Sequence, residues 1–387
     1  MHREGKDPHS DKKKVAIIAG EASGDLHGSD LVKAMQRIDQ RIQFYGIGGE
    51  KLREAGVKIV ADSSDMAVVG LTEVLSKLGF ILSVRRKLKQ SLYDENPDLL
   101  ILIDYPDFNL PLAKVAKKYG IKVFYYISPQ VWAWRKRRIY DIARYVDKMA
   151  VILPFESSIY EEVNLDVSFV GHPLLDVVKR KFSRDDALRE FGLKDRGAII
   201  GILPGSRESE VIKLLPDMMK AAVILKERIA HVQFVLPLAG TLKHDFISDI
   251  MSQYSVDVTV VKDNVYDVIG VSDIVMVASG TATLETALLE TPMVIVYKVS
   301  PVSYFIGRII INVDHIGIVN IIAGKKVVPE FIQDDAKPEN IANEIYDILS
   351  NAPRMDKIKR DLSQIREKLG SPGAAARAAE QAYEIIG

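Results

Sequence analysis

An α/β chain of two domains, each built on a parallel sheet, is predicted by three features of the sequence. Its 387 residues amount to two domains at roughly 100–200 residues each. Short apolar runs alternate with longer amphipathic stretches along almost the whole length, which is the pattern of repeated strand–helix units. The scheme also starts twice, each time with an apolar strand that runs into a glycine-bearing turn.

In the first half, residues 15–19, 43–45, 99–103, 122–126 and 148–152 are apolar enough to be strands buried on both faces. Helical spacing fills 29–38, 110–118 and 139–146 between them. The second half repeats the scheme with strands at 198–203, 232–237, 256–261, 274–277 and 292–296, and helices at 213–227 and 283–289. The changeover is expected near Gly171-His172-Pro173, ahead of the charged stretch 179–184. Residues 373–386, rich in Ala and Glu after Ser371-Pro372, read as a closing helix. Residues 1–13 are polar and of mixed charge, a frayed leader with no apolar core.

Composition removes several function classes. Fifty-two basic residues balance 52 acidic ones, which argues against a general nucleic-acid binder, and 48% hydrophobic residues exclude wholesale disorder. Cysteine is absent, so disulfides, thiolate metal sites and a cysteine nucleophile go together, and a reducing compartment fits. Seven histidines form no HExxH or HxH pair, so no metal site and no cofactor is assigned. No window reaches eighteen apolar residues free of charge, so the chain is expected to be soluble or to lie on a membrane without crossing it.

The two glycine-bearing turns come first among the chemical candidates. Val15-Ala-Ile-Ile-Ala-Gly20-Glu-Ala-Ser-Gly24-Asp25 and Ile199-Ile-Gly-Ile-Leu-Pro204-Gly205-Ser206-Arg207 each have the form of the phosphate-side corner of a Rossmann-like unit. Neither is a GxGxxG or Walker A loop. Ser206 and nearby N–H groups suit a phosphate oxygen, and Arg207 offers a cationic fork, each charge-assisted bond contributing about 1.5–3 kcal/mol. An ordinary turn with a solvated arginine explains the same residues.

Ala278-Ser279-Gly280-Thr281-Ala282-Thr283-Leu284-Glu285 shifts that balance. It follows an apolar strand and opens a helix, whose N-terminus favours an anion by about 0.3–1 kcal/mol. Glu285, one turn in, could accept both hydroxyls of a ribose, or merely complement the helix dipole. Two such corners in one domain point to a nucleotide diphosphate.

In the first half, Asp104 ends the strand 99–103 and precedes Tyr105-Pro106-Asp107-Phe108-Asn109. A carboxylate at the C-terminal end of a central parallel strand points into the ligand crevice and makes Asp104 the best candidate for a base. Asp107 or Asn109 is expected to cap the following helix. Ser128-Pro-Gln-Val-Trp132-Ala-Trp134-Arg135-Lys-Arg137-Arg138 holds both tryptophans beside four cations. It reads as a tryptophan-anchored loop, or as a surface for a phosphorylated, partly apolar ligand. Finally, 66–84 is unusually apolar and is followed by Arg85, Arg86, Lys87 and Lys89. A core-facing helix and an interfacial helix against anionic head groups both fit that pattern.

Taken together and in order, these motifs, with Val170-Gly-His-Pro173, resemble the bacterial lipid-A-disaccharide synthases over about residues 14–333. The resemblance implies a GT-B fold, two Rossmann-like domains facing across a cleft. It implies a glycosyltransferase that needs no metal and joins UDP-2,3-diacylglucosamine to 2,3-diacylglucosamine 1-phosphate (lipid X) with release of UDP. By position, Asp104 matches the family's essential aspartate and Arg207 its arginine for the UDP diphosphate. Ser206, Ser279, Gly280, Thr281 and Glu285 match the nucleotide-side loops, Asn320 in Val319-Asn-Ile-Ile-Ala-Gly324 a segment near the same cleft, and Gln333 follows it. Ser23 and Asp25 would face the acceptor or the sugar. His27 departs from the family pattern and receives no role.

The resemblance also divides the chain into a domain at 14–171, a UDP-sugar domain at 172–355, and C-terminal helices at 356–387 that cross back to the first domain or a partner subunit. It implies a possible homodimer, and a place on the cytoplasmic face of the inner membrane held by the 66–82 patch and residues 85–89. The rivals are another GT-B UDP-sugar enzyme, epimerase-like, and a non-catalytic nucleotide- or RNA-binding protein.

Overall fold

The computed structural model describes residues 12–66, 71–300, 304 and 314–387. The chain divides into two compact units, one of Met1–Pro173 with Gly370–Gly387 and one of Leu174–Leu369.

The first unit is a seven-stranded sheet of β1 (Lys14–Ala19), β2 (Gln43–Gly48), β3 (Lys58–Asp62), β4 (Leu99–Ile103), β5 (Lys122–Tyr126), β6 (Lys148–Val151) and β7 (Asp166–Phe169), in the order β3-β2-β1-β4-β5-β6-β7. Every pairing is parallel. The continuous apolar runs follow from burial on both faces. Along β4, Leu100 and Leu102 enter one core while Leu99, Ile101 and Ile103 enter the other. Helix Ala22–Ile38 lies close on the second face because Gly28 gives it room: a Cβ there would come within 2.9 Å of Ile103 Cδ1. Helix Ala374–Glu384 packs beside it through Ala378, Ala379 and Ala382. Arg377 fastens the approach by donating to the carbonyl of Val170.

The second unit holds β8 (Ile199–Leu203), β9 (Gln233–Leu238), β10 (Val258–Lys262), β11 (Ile274–Ala278), β12 (Met293–Tyr297) and β13 (Glu330–Ile332), in the order β10-β9-β8-β11-β12-β13. These pairings are parallel too. Counted from its own first strand, each sheet runs 3-2-1-4-5-6, the doubly wound order of a Rossmann unit, and the first adds a seventh strand at its edge.

Three strands go beyond the sequence reading: β3, β7 and β13. Each lies at a sheet edge or is largely half-exposed, so none shows the buried run that marks a central strand. Three helices start earlier than expected, at Ala22, Pro106 and Glu208; in the first two, glycines and a proline near the start mimic loop. The block expected at 356–387 is split. Helix Ala352–Lys368 belongs to the second unit, where Arg366 donates to the carbonyl of Leu288, and the chain enters the first unit only from Gly370. Residues 1–11 of the expected leader, and 67–70 of the apolar stretch, lie outside the described residues. Helix Leu71–Glu95 turns Val84, Leu88 and Leu92 into the core and leaves Phe80 and Leu82 exposed.

Candidate active site

In a doubly wound sheet, ligands bind beyond the carboxyl ends of the strands where the order reverses. The reversal lies between β1 and β4 in the first unit and between β8 and β11 in the second. Ala19 pairs with Ile103, and Leu203 with Val277. The register thus sets the Gly20 turn beside Asp104, and the Pro204–Arg207 turn beside Ser279. Residues far apart in the sequence become two compact corners.

The first corner is closely built. Asp104 and Tyr105 both take left-handed backbone angles, with φ of 42° and 48°, unfavourable for residues with a Cβ. Buried side chains hold that turn. Asn109 donates its Nδ2 to the carbonyls of Ile103 at 3.1 Å and Asp104 at 2.7 Å, and the Tyr125 hydroxyl donates to the Asp104 carbonyl at 2.5 Å. The Tyr105 ring lies over Gly20, where a Cβ would come within 2.3 Å of ring carbon Cδ1, so only glycine fits. Burial, then the Glu21 charge, push the Asp104 carboxyl up to about 6, against a lowering backbone N–H bond from Tyr105. It is suited to take a proton near neutral pH.

Around this turn, Asp107 is paired with Arg135 and Arg138, and Arg138 Nη1 is buried without a hydrogen-bond partner. Glu156 is 1% exposed, accepting from Trp132 Nε1 at 3.2 Å and Leu153 N at 3.1 Å. Burial chiefly lifts its carboxyl to about 8, with a small contribution from the Asp104 charge. Beside it the hydroxyls of Ser128 and Tyr160 share a 2.8 Å bond. Burial also lowers His172, to about 3, helped by His27.

Ser23 is exposed at the first turn of helix Ala22–Ile38. Asp25 does something other than expected. Its carboxylate accepts the N–H groups of Gly49, Lys51 and Leu52, at 2.6, 3.0 and 3.2 Å. It is a buried clamp on the loop after β2, and its oxygens are taken.

The second corner is more open. Gly205 has φ of 109°, and a Cβ there would strike Glu210 Oε2 at 2.5 Å. Arg207 stands at the head of helix Glu208–Arg228, 67% exposed, with Nη1 3.1 Å from Glu210 Oε1. Ser206 is exposed, and its carbonyl accepts from the Thr241 hydroxyl at 2.5 Å. Across the switch, Ser279 is half-buried, and Gly280 and Thr281 are exposed where helix Thr281–Leu288 begins. A Cβ on Gly280 would meet nothing within 4 Å. Of the N–H groups opening that helix, that of Thr283 donates to the Gly280 carbonyl at 3.1 Å, and a helix start of this kind favours an anion. Glu285 accepts the Tyr266 hydroxyl at 3.2 Å, and burial raises its carboxyl.

Asn320 and Gln333 also depart from expectation. Asn320 is fully buried: its Oδ1 accepts Val327 N and Val328 N, and its Nδ2 reaches the Val328 carbonyl and Glu330. Gln333 brackets Val299, accepting its N–H at 2.7 Å and donating to its carbonyl at 3.2 Å. Both side chains hold loops of the second unit together.

Sequence reasoning missed Glu156 and the pinning role of Asn109 and Tyr125. Glu156 does carry a signal, a carboxylate four residues after an apolar strand end. Among the described residues, no three His, Cys, Asp or Glu side chains gather as a metal site.

Comparison with known proteins separates what fold and sequence each establish. Solved structures of low identity share the architecture. A calicheamicin glycosyltransferase aligns with a TM-score of 0.62 at 12% identity, over 97% of this chain and 98% of that one. A UDP-GlcNAc 2-epimerase from Neisseria meningitidis, bound to UDP-GlcNAc, aligns at 0.59 and 13%, over 96% and 98%. Transferase and epimerase thus share the fold, and fold alone does not choose between them. Sequence does. Lipid-A-disaccharide synthase from Syntrophus aciditrophicus (strain SB) is 57% identical over 97% of this chain and 98% of its own. That from Geobacter sulfurreducens is 50% identical over 97% of each. Residues 15–386 match the family model of lipid-A-disaccharide synthetase, and the chain belongs to that family of GT-B glycosyltransferases.

Proposed function

We propose that Asp104 acts on the acceptor and Arg207 on the donor in the transfer that gives this family its name. The chain is a glycosyltransferase of lipid A biosynthesis. The reaction joins UDP-2,3-diacylglucosamine to the 6-hydroxyl of 2,3-diacylglucosamine 1-phosphate. The acceptor oxygen attacks C1 of the donor from the face opposite UDP, the C1–oxygen bond to UDP breaks, and C1 is inverted. The hydroxyl proton passes to the Asp104 carboxylate. The electron pair leaves with UDP, whose growing charge Arg207 and the start of helix Thr281–Leu288 neutralise. Ser206, Ser279, Gly280 and Thr281 line the diphosphate, and Glu285 takes the nucleoside.

One observation carries this reading: Asp104 stands at the β1/β4 switch point with its backbone fixed and its carboxyl raised to about 6. A base contributes most when its pKa lies near the working pH.

Attachment to the cytoplasmic face of the inner membrane and pairing into a homodimer belong to the same proposal. Exposed Phe80 and Leu82, followed by Arg85, Arg86, Lys87 and Lys89, support the attachment. Among the described residues no helix is long and apolar enough to cross a membrane.

The test is release of UDP from the donor, with and without acceptor, in neutral detergent and EDTA. Acceptor-dependent release with formation of the disaccharide is expected. Release that ignores the acceptor would reveal hydrolysis or an epimerase-like enzyme, and would overturn the proposal.

A further inference from the structure

We infer that Arg138, with Arg135 beside it, grips the anomeric phosphate of the acceptor sugar, a phosphomonoester site next to the Asp104 turn. The inference rests on the reaction proposed above and names residues for a part of the substrate that the reaction leaves unassigned.

Two arginines meet at one carboxylate beside the Asp104 turn. Arg135 Nη1 and Arg138 Nη2 both reach the same oxygen of Asp107, so two guanidinium groups share one carboxylate oxygen. Arg137 adds a third cation on the adjoining turn, while Lys136 is matched by Glu162. The Arg138 side chain is only 23% exposed, and its Nη1 is buried with no hydrogen-bond partner. A charged donor buried without an acceptor is costly, and such an orphan marks a place where an acceptor is missing. Asp107 is 64% exposed and free to give way.

A phosphomonoester suits this pair of guanidinium groups. It brings close to two negative charges and an oxygen geometry that a guanidinium meets with two parallel bonds. The sugar's own connectivity supplies the link to chemistry. C1 and C5 both flank the ring oxygen, so the 1-phosphate and the C6 hydroxyl lie along one edge of the ring. Asp107 begins the helix Pro106–Lys118 three residues after Asp104. A phosphate drawn to its arginine partners therefore brings the 6-hydroxyl to the Asp104 side of the turn.

Binding of 2,3-diacylglucosamine 1-phosphate, and of the same lipid without its phosphate, tests this on the full chain in neutral-detergent micelles. Wild type, Arg138→Gln and Arg138→Lys are compared. Wild type is expected to prefer the phosphorylated lipid by about tenfold to a hundredfold, the effect of a charge-assisted double bond. Arg138→Gln is expected to bind both lipids alike, with UDP affinity unchanged. Arg138→Lys, which keeps the charge and loses the fork, should retain part of the preference, and it carries the test if the glutamine variant fails to fold.

A wild type without preference, or variants that keep it in full, would overturn the inference. So would an Arg138→Gln protein that loses attachment to phosphatidylglycerol vesicles yet keeps the preference, since the arginine would then serve membrane head groups. Because the readout is binding, a wild type that prefers the phosphate but transfers nothing would sink the proposed reaction alone.

Discussion

The two switch-point corners share one topology and are built in opposite ways. At the β1/β4 corner a strained turn is held by buried Asn109 and Tyr125, and the Asp104 carboxyl is largely desolvated. At the β8/β11 corner Arg207 is mostly exposed, its partner Glu210 is one turn away, and Gly280 faces open space. The contrast matches the two tasks proposed for these corners. A base must be aimed and tuned before substrate arrives, which takes burial and a fixed backbone. An anion site needs unpartnered N–H groups and a cation that can move onto the ligand, which takes exposure.

The contrast predicts unequal sensitivities. Asp104→Asn should lower the transfer rate by about 10²–10⁴ with little change in melting temperature, since it removes the proposed base and keeps the shape. Arg207→Ala should cost about ten- to a hundredfold in transfer, again without loss of stability, because the side chain is solvated. Asn109→Ala should differ in kind. It loosens the Asp104 turn by taking one donor from each of the Ile103 and Asp104 carbonyls, leaving Tyr125 alone on the latter, so melting temperature and rate should fall together, by about 1–3 kcal/mol in stability.

Glu156 sharpens the same point through pH. Its folded carboxyl titrates at about 8, above the 4.5 of the free group, so the folded state holds the extra proton between those values. Stability contributed by that proton is present at low pH and declines as pH rises from about 4.5 to about 8. Glu156→Gln should flatten the decline, melting above wild type at pH 9 and close to it at pH 5. The smallest effect belongs to Glu210→Gln. An exposed pair three residues apart contributes about 0–1 kcal/mol, so stability should hardly move.

These differences explain what could be read in the sequence. The central strands were legible because burial on both faces leaves unbroken apolar runs such as Leu99–Ile103. The edge strand Glu330–Ile332 was not, being three residues of mixed polarity whose partner, β12, is distant in the chain. The positions of Asp104 and Arg207 beside the two switch points were legible because each follows a strand end. Asp25, Asn320 and Gln333 looked equally like ligand groups. Their partners are backbone groups of other loops, Gly49 to Leu52, Val327 and Val328, and Val299, which only the folded chain brings near. Glu156, whose place after a strand end was its one signal, escaped for the same reason: its side chain meets Trp132, 24 residues earlier.

The central claim is that Asp104 is the base at a corner built in advance for that task, and the pH dependence of the transfer step tests it most directly. Single-turnover rates measured from pH 4.5 to 9 should rise through an apparent pKa near 6 in wild type and then level off. Asp104→Asn should be slow and should lack that rise. An Asp104→Asn enzyme that keeps the wild-type profile within a few-fold of its rate would contradict the account and move the base elsewhere.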